Sequence, residues 1–141
     1  MKTPTRILMQ ASAAFMAVLG MAATFMPQEL LAFVGSAANA TTVLIVQIAG
    51  ALYVGFAMLN WMARGLLIGG IYGRPLTVAN LAHFMISALG LAKAAASGPQ
   101  APAVIAGAVV YSIFAVLFAL VFLGHPSMTS TRRPDLPKEP P

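Results

Sequence analysis

The chain has 141 residues, 60% of them hydrophobic and only 8% charged, with a mean hydropathy of +0.87. A soluble domain carries roughly 25% charged residues, so this composition cannot clothe a water-facing surface and points to lipid as the solvent. The net charge of +5 comes from basic residues scattered at the ends of apolar runs, the placement of topology signals, which excludes a nucleic-acid patch; the absence of cysteine excludes disulfides and thiolate metal sites.

A bilayer core takes about 20 apolar residues per helix, so a chain of this length supplies four spans with short loops. Residues 1–6 are polar and basic, and the first apolar run extends from Ile7 to Met26, closed by Pro27. Lys2 and Arg6 before such a run also describe a secretory signal, with Ala38-Asn39-Ala40 as a small-x-small cleavage site. That site lies far beyond the run, and the run exceeds the usual signal core, so a retained anchor is expected. Pro27-Gln28-Glu29 followed by Leu-Leu-Ala-Phe-Val-Gly has proline at a helix start, a carboxylate near its positive end and glycine at the stop. It is too short to span and predicts a short interfacial helix. Residues 36–42 read as a polar turn, in which Asn39-Ala40-Thr41 fits a glycosylation sequon.

The second span is expected over about 42–63, ending at Arg64 with Trp61 at the boundary. Gly65, Gly69 and Gly73 follow at every fourth residue between Arg64 and Arg74. Two readings are a flexible turn and a backbone nest for a lipid phosphate, with Arg64 and Arg74 as the phosphate contacts. Pro75 opens the third span, about 76–95, with Lys93 able to snorkel from its far end. Pro102 opens the fourth, about 102–124, after a turn at Ser97-Gly98-Pro99-Gln100. Residues 1–124 thus form the transmembrane domain. Residues 125–141, polar and proline-rich, read as a disordered cytoplasmic tail.

The expected fold is all-α: an integral membrane four-helix bundle with an interfacial helix after the first span. With four spans, Lys2, Arg6, Arg64, Arg74, Arg132, Arg133 and Lys138 share one side and Lys93 stands alone on the other. The positive-inside bias places both termini in the cytoplasm, and Trp61 and Tyr72 suit an aromatic belt at that boundary.

Polar groups in hydrocarbon turn toward protein or a water-filled cavity. At about 1.5 Å per helical residue, Gln10, Asn60 and Asn80 sit at similar depth inside the cytoplasmic boundary. His83 and Ser87 continue the Asn80 stripe at spacings of three and four. Gln47 lies near the opposite boundary, and Tyr111 and Ser112 bring hydroxyls to mid-membrane. One account is hydrogen bonding between helices that fixes register, each bond contributing about 0.6 kcal/mol on average. The other is a cytoplasm-facing polar cavity of Gln10, Asn60, Asn80, His83 and Ser87 for a quinone or lipid headgroup or a small substrate, with His83 as hydrogen-bond partner or proton carrier. Small residues on all four spans (Ala13, Ala17 and Gly20; Gly50 and Gly55; Ala82 and Gly90; Ala103 and Gly107) suit close helix packing, and the nine methionines read as soft packing rather than metal ligands.

The three acidic residues, Glu29, Asp135 and Glu139, lie outside the spans, which disfavours a proton-coupled carrier. His83 and His125 differ in depth by about 12 Å, a poor fit to one haem. No serine–histidine–acid set or paired carboxylates exist, so no cofactor and no enzymatic activity are expected.

The layout resembles small four-helix bacterial membrane proteins of poorly defined function, broadly the DoxX-like kind. The likeness rests on Pro27-Gln28-Glu29-Leu30-Leu31, Gln47-x-x-Gly50-Ala51 and Asn60-Trp61-Met62-Ala63-Arg64. It covers about the first two-thirds of the chain and implies architecture and a plasma-membrane address, with no catalytic residue carried over. The preferred functional expectation is a non-enzymatic accessory or interaction subunit of the bacterial inner membrane, self-associating or bound to a larger membrane partner. The alternative is a small-ligand binding or transport module. The charge distribution makes one direct prediction: a reporter active only outside the cytoplasm, fused after Pro141, stays silent in cells, and full activity there would reverse the assigned orientation.

Overall fold

The computed structural model describes residues 2–65 and 73–124, with side chains from Pro4 onward. Gly69, Tyr72, His125 and the 125–141 tail, all assigned roles from sequence, lie outside the described residues. The elements are α1 (Lys2–Phe25), α2 (Pro27–Phe33), α3 (Ala40–Ala63), α4 (Gly73–Ala96) and α5 (Pro102–Leu123). No strand occurs among the described residues. α1, α3, α4 and α5 are each long and apolar enough to cross a bilayer, so the chain is an integral membrane four-helix bundle. In lipid a helix satisfies its own backbone amides, which is why the chain crosses in this form.

The ends of the helices follow from local chemistry. α1 stops at Phe25 because Met26 precedes Pro27 and takes a non-helical conformation (φ −132°, ψ 50°). Pro27 then opens α2 at its first turn, where its missing N–H costs nothing. α2 closes with Gly35 at φ +74°, while Ser36 N–H reaches the Leu31 carbonyl at 2.8 Å and Gly35 N–H that of Ala32 at 3.0 Å. This pairing is the Schellman closure that a left-handed glycine permits. Asn39, read from sequence as part of a sequon and of a cleavage site, is the cap of α3. Its side chain accepts from Thr42 N–H at 2.9 Å, and Thr42 Oγ1 accepts from Asn39 N–H at 3.0 Å. The cap moves the start of α3 two residues ahead of the span expected from hydropathy.

The bundle is assembled as two pairs. α1 lies closely along α3 and α4 along α5, whereas the pairs meet each other mainly through side chains. The tight seam between α1 and α3 is built on glycine. A Cβ on Gly50 would stand 2.8 Å from Thr24 N and 2.9 Å from Ala23 Cβ; one on Gly20 would stand 2.8 Å from Val54 N and 2.9 Å from the Gly50 carbonyl. Gly55 and Gly90 have nothing within 4 Å of such a Cβ, so among these small residues only some mark helix contacts.

Between the pairs the space is filled by large side chains. Phe84 of α4 is fully buried, stacks on Phe114 with centroids 4.7 Å apart, and lies 6.4 Å from Phe15 of α1. Met9, Met16 and Phe118 are buried beside it. The outer surface is apolar instead: Met62 and Leu123 are each 76% exposed and Ile86 70%, patches that would be untenable in water and are ordinary against lipid. The seam predicts a sharp contrast in thermal melts of the purified protein. Gly50→Ala and Gly20→Ala, which push into backbone, each lower stability by about 1–3 kcal/mol, while Gly55→Ala leaves the melting temperature unchanged or higher.

Candidate functional site

Four side chains near the Arg64 end of α3 form a closed polar cluster. Asn60 of α3 and Asn80 of α4 are fully buried and exchange two amide hydrogen bonds, Asn60 Nδ2 to Asn80 Oδ1 at 2.7 Å and Asn80 Nδ2 to Asn60 Oδ1 at 2.8 Å. The second proton of Asn80 goes to the Leu76 carbonyl at 2.9 Å. Asn60 Nδ2 also donates to Ser12 Oγ of α1 at 3.1 Å and faces Met16 Sδ at 3.7 Å. Ser12 in turn donates to the Met9 carbonyl at 3.1 Å. Each amide N–H therefore has a protein acceptor, so the pair keeps no free donor for a ligand. The cluster is a clamp between the two helix pairs.

The expected stripe of Asn80, His83 and Ser87 divides in three. Asn80 belongs to the clamp, with Phe84 and Ala88 continuing the buried face of α4. His83, one turn on, is boxed by rings: Tyr53 edge-on at 5.0 Å, Phe56 stacked at 5.6 Å, Phe84 at 5.2 Å and Tyr111 at 6.0 Å. Its Nε2 is buried and has no hydrogen-bond partner. Ser87, a further turn along, lines a cleft. Gln10, at the same depth as the asparagines, is half-buried and takes no part in the clamp.

The cleft has a volume of about 630 Å³ and lies between the two pairs, from mid-membrane to α2. Its deep end is formed by Tyr53, Ser87 and Tyr111, and its outer end by Leu30, Leu31 and Val34 around α2. A recess of about 200 Å³ shares the walls Leu19, Val46 and the two tyrosines. Tyr53 and Tyr111 are hydrogen-bonded to each other through their hydroxyls across the pairs. Ser112, the other mid-membrane hydroxyl on α5, instead faces outward and returns its proton to the Ala108 carbonyl at 2.7 Å. Tyr53 went unnoticed in the sequence, although it stands on the Ala57–Asn60 face at helical spacings of four and three. The cleft thus opens toward the α2 end and leaves Gln10, Asn60 and Asn80 outside its walls.

At the other boundary, Arg64 stacks over Trp61 at 4.2 Å and donates to its carbonyl. Arg74 sits 5.9 Å from the Phe122 ring. Both guanidinium groups rest on aromatic faces at the ends of α3 and α4, the geometry of interfacial anchors. No group of three or more His, Cys, Asp or Glu residues that would hold a metal occurs among the described residues.

No family model, curated protein or solved structure significantly matches the chain. The residues on which the DoxX-like resemblance rests fall on the start of α2, the middle of α3 and its end, and no comparison bears on that resemblance.

The clamp predicts coupling. Asn60→Leu and Asn80→Leu, each of which strands the opposite amide, lower stability by about 1–2 kcal/mol. The double variant loses less than the sum of the two, and strict additivity in a double-mutant cycle would show that the amides do not act as a pair.

Proposed function

We propose that the protein is a non-enzymatic binding module of a bacterial inner membrane, both termini cytoplasmic, that holds a hydrophobic small molecule or lipid between its two helix pairs. The observation that carries this reading is the mid-membrane to α2 cleft of about 630 Å³, a volume in the range of ligand sites. Ligand sites are mostly apolar with a few placed polar groups, and this cleft combines aliphatic walls with Tyr53, Ser87 and Tyr111 at one end. A cavity serving only as a packing defect gains nothing from polar groups at its floor. Under the proposed orientation the cleft faces the outer leaflet, so the bound molecule exchanges with lipid on that side. An accessory subunit, by contrast, is recognised through a stoichiometric partner protein rather than through its own interior.

Native purification followed by mass spectrometry tests the reading. The expected result is a small apolar molecule at close to one copy per chain. Gly90 lines the cleft and a Cβ there meets nothing within 4 Å, so Gly90→Leu adds bulk at that wall without a clash at its Cβ. That variant is expected to fold, to melt at or above the parent temperature, and to lose the bound molecule. A purified parent protein that carries only a stoichiometric protein partner would favour the accessory role instead.

A further inference from the structure

The chemistry of the cleft restricts what occupies it. Among the described residues its walls contain no Asp, Glu, Lys or Arg. The charged side chains nearest its ends, Glu29 on α2 and Lys93 near the end of α4, are solvent- or lipid-exposed and lie outside the lining. A charged group brought to mid-membrane without a counter-charge is expensive, so a phosphate or ammonium headgroup has no place at the deep end.

That end nevertheless holds unused hydrogen-bonding capacity. Ser97 and Ser112 each turn the hydroxyl back onto the carbonyl four residues earlier, the usual outlet for a serine in an apolar helix. Ser87 makes no such bond and its side chain lines the cleft. The Tyr53–Tyr111 pair adds to this. Two phenols own two protons, and the bond between them consumes one. Behind the pair, the buried Nε2 of His83 is also without a partner. Everything further out along the cleft is hydrocarbon, including Leu19, Leu30, Val46, Leu91 and Val104.

We infer that the occupant is a neutral amphiphile that lies oxygen-first, with a single hydroxyl or carbonyl oxygen among Ser87, Tyr53 and Tyr111 and its hydrocarbon running out toward α2. The inference rests on the cleft being a binding site, and adds the headgroup class and the direction. Tyr111 lies nine residues into α5 from Pro102, about 14 Å along the helix, which sets the span that the hydrocarbon must cover. A phospholipid acyl chain entering methyl-first from the outer leaflet is the competing arrangement.

Photolabelling in lipid nanodiscs decides between them. Two twelve-carbon alcohols are used, one with a diazirine beside the hydroxyl and one with the diazirine at the far end of the chain. The expected result is saturable labelling, with the first probe on peptides holding Tyr53, Ser87 or Tyr111 and the second on α2. 1-Dodecanol should compete, while dodecyl phosphate and dodecyltrimethylammonium should compete at least tenfold less well. Ser87→Ala and the Tyr53→Phe/Tyr111→Phe double variant should each weaken the alcohol by about tenfold and leave dodecane competition unchanged. Ser87→Ala serves if the double variant fails to fold. Reversed label positions, or equal competition by the charged dodecyl compounds, would overturn the inference and leave the cleft a binding site. Absence of saturable labelling by either probe would overturn both.

Discussion

Hydrocarbon offers no partner to an amide, and the reciprocal bond between Asn60 and Asn80 is the structure's answer to that constraint. Two side chains that would each be costly alone become inexpensive together, and only in one register of α3 against α4. The direct gain from such a bond in a membrane is modest, about 0.6 kcal/mol on average. Its weight lies in the alternatives it excludes: any rotation or slip that separates the two amides leaves polar groups stranded in lipid. Because α1 with α3 and α4 with α5 form the close-packed units, this polar contact, with the Phe15–Phe84–Phe114 rings beside it and the Tyr53–Tyr111 bond further along, sets how the two halves sit together.

The consequence is a bundle in which α3 is tied to α4 near Arg64, while the pairs part toward α2. Near Arg64 the amides and Met16 draw the pairs together; toward α2 the contact loosens into the cleft. The Tyr53–Tyr111 bond marks the transition between these regions and is the last polar tie before the cleft. α2 then covers the open end through Leu30 and Leu31, with Val34 just past its last turn. A seven-residue helix too short to span thereby becomes part of the site, and the Schellman closure at Gly35 fixes where its chain departs toward α3.

Much of this was legible in the sequence, and the part that was not has a common cause. Apolar run lengths and the prolines at 27 and 102 placed the four long helices and the short α2 to within a few residues, because in lipid the length of a run is itself the structural constraint. Depth was legible too. Counting from Arg64 and Pro75 put Asn60 and Asn80 at one level, where they pair. Rotation about the helix axis was not. In soluble helices polarity marks the outer face, but here lipid and protein are equally apolar and hydropathy is silent on which face turns inward. Hence Gln10, at the right depth, lies outside the clamp, Gly55 faces away from the seam that Gly20 and Gly50 form, Gly90 of α4 lies on the cleft wall, and Tyr53 was overlooked. The Asn39 cap was missed for another reason: its box is closed by Thr42 rather than by the usual glutamate.

The order in which the chain is made gives the Ser12 contact a second significance. α1 and α3 leave the ribosome before α4 exists, and their glycine seam can close at once. Asn60 would then face the bilayer interior with its intended partner still twenty residues behind in synthesis. Ser12 Oγ, on the helix already packed beside it, offers one acceptor at 3.1 Å from the start and keeps it in the finished bundle. In a half-built molecule one of the two Asn60 N–H groups thus already has its acceptor, and the later hairpin brings the partner for the other N–H and for the carbonyl.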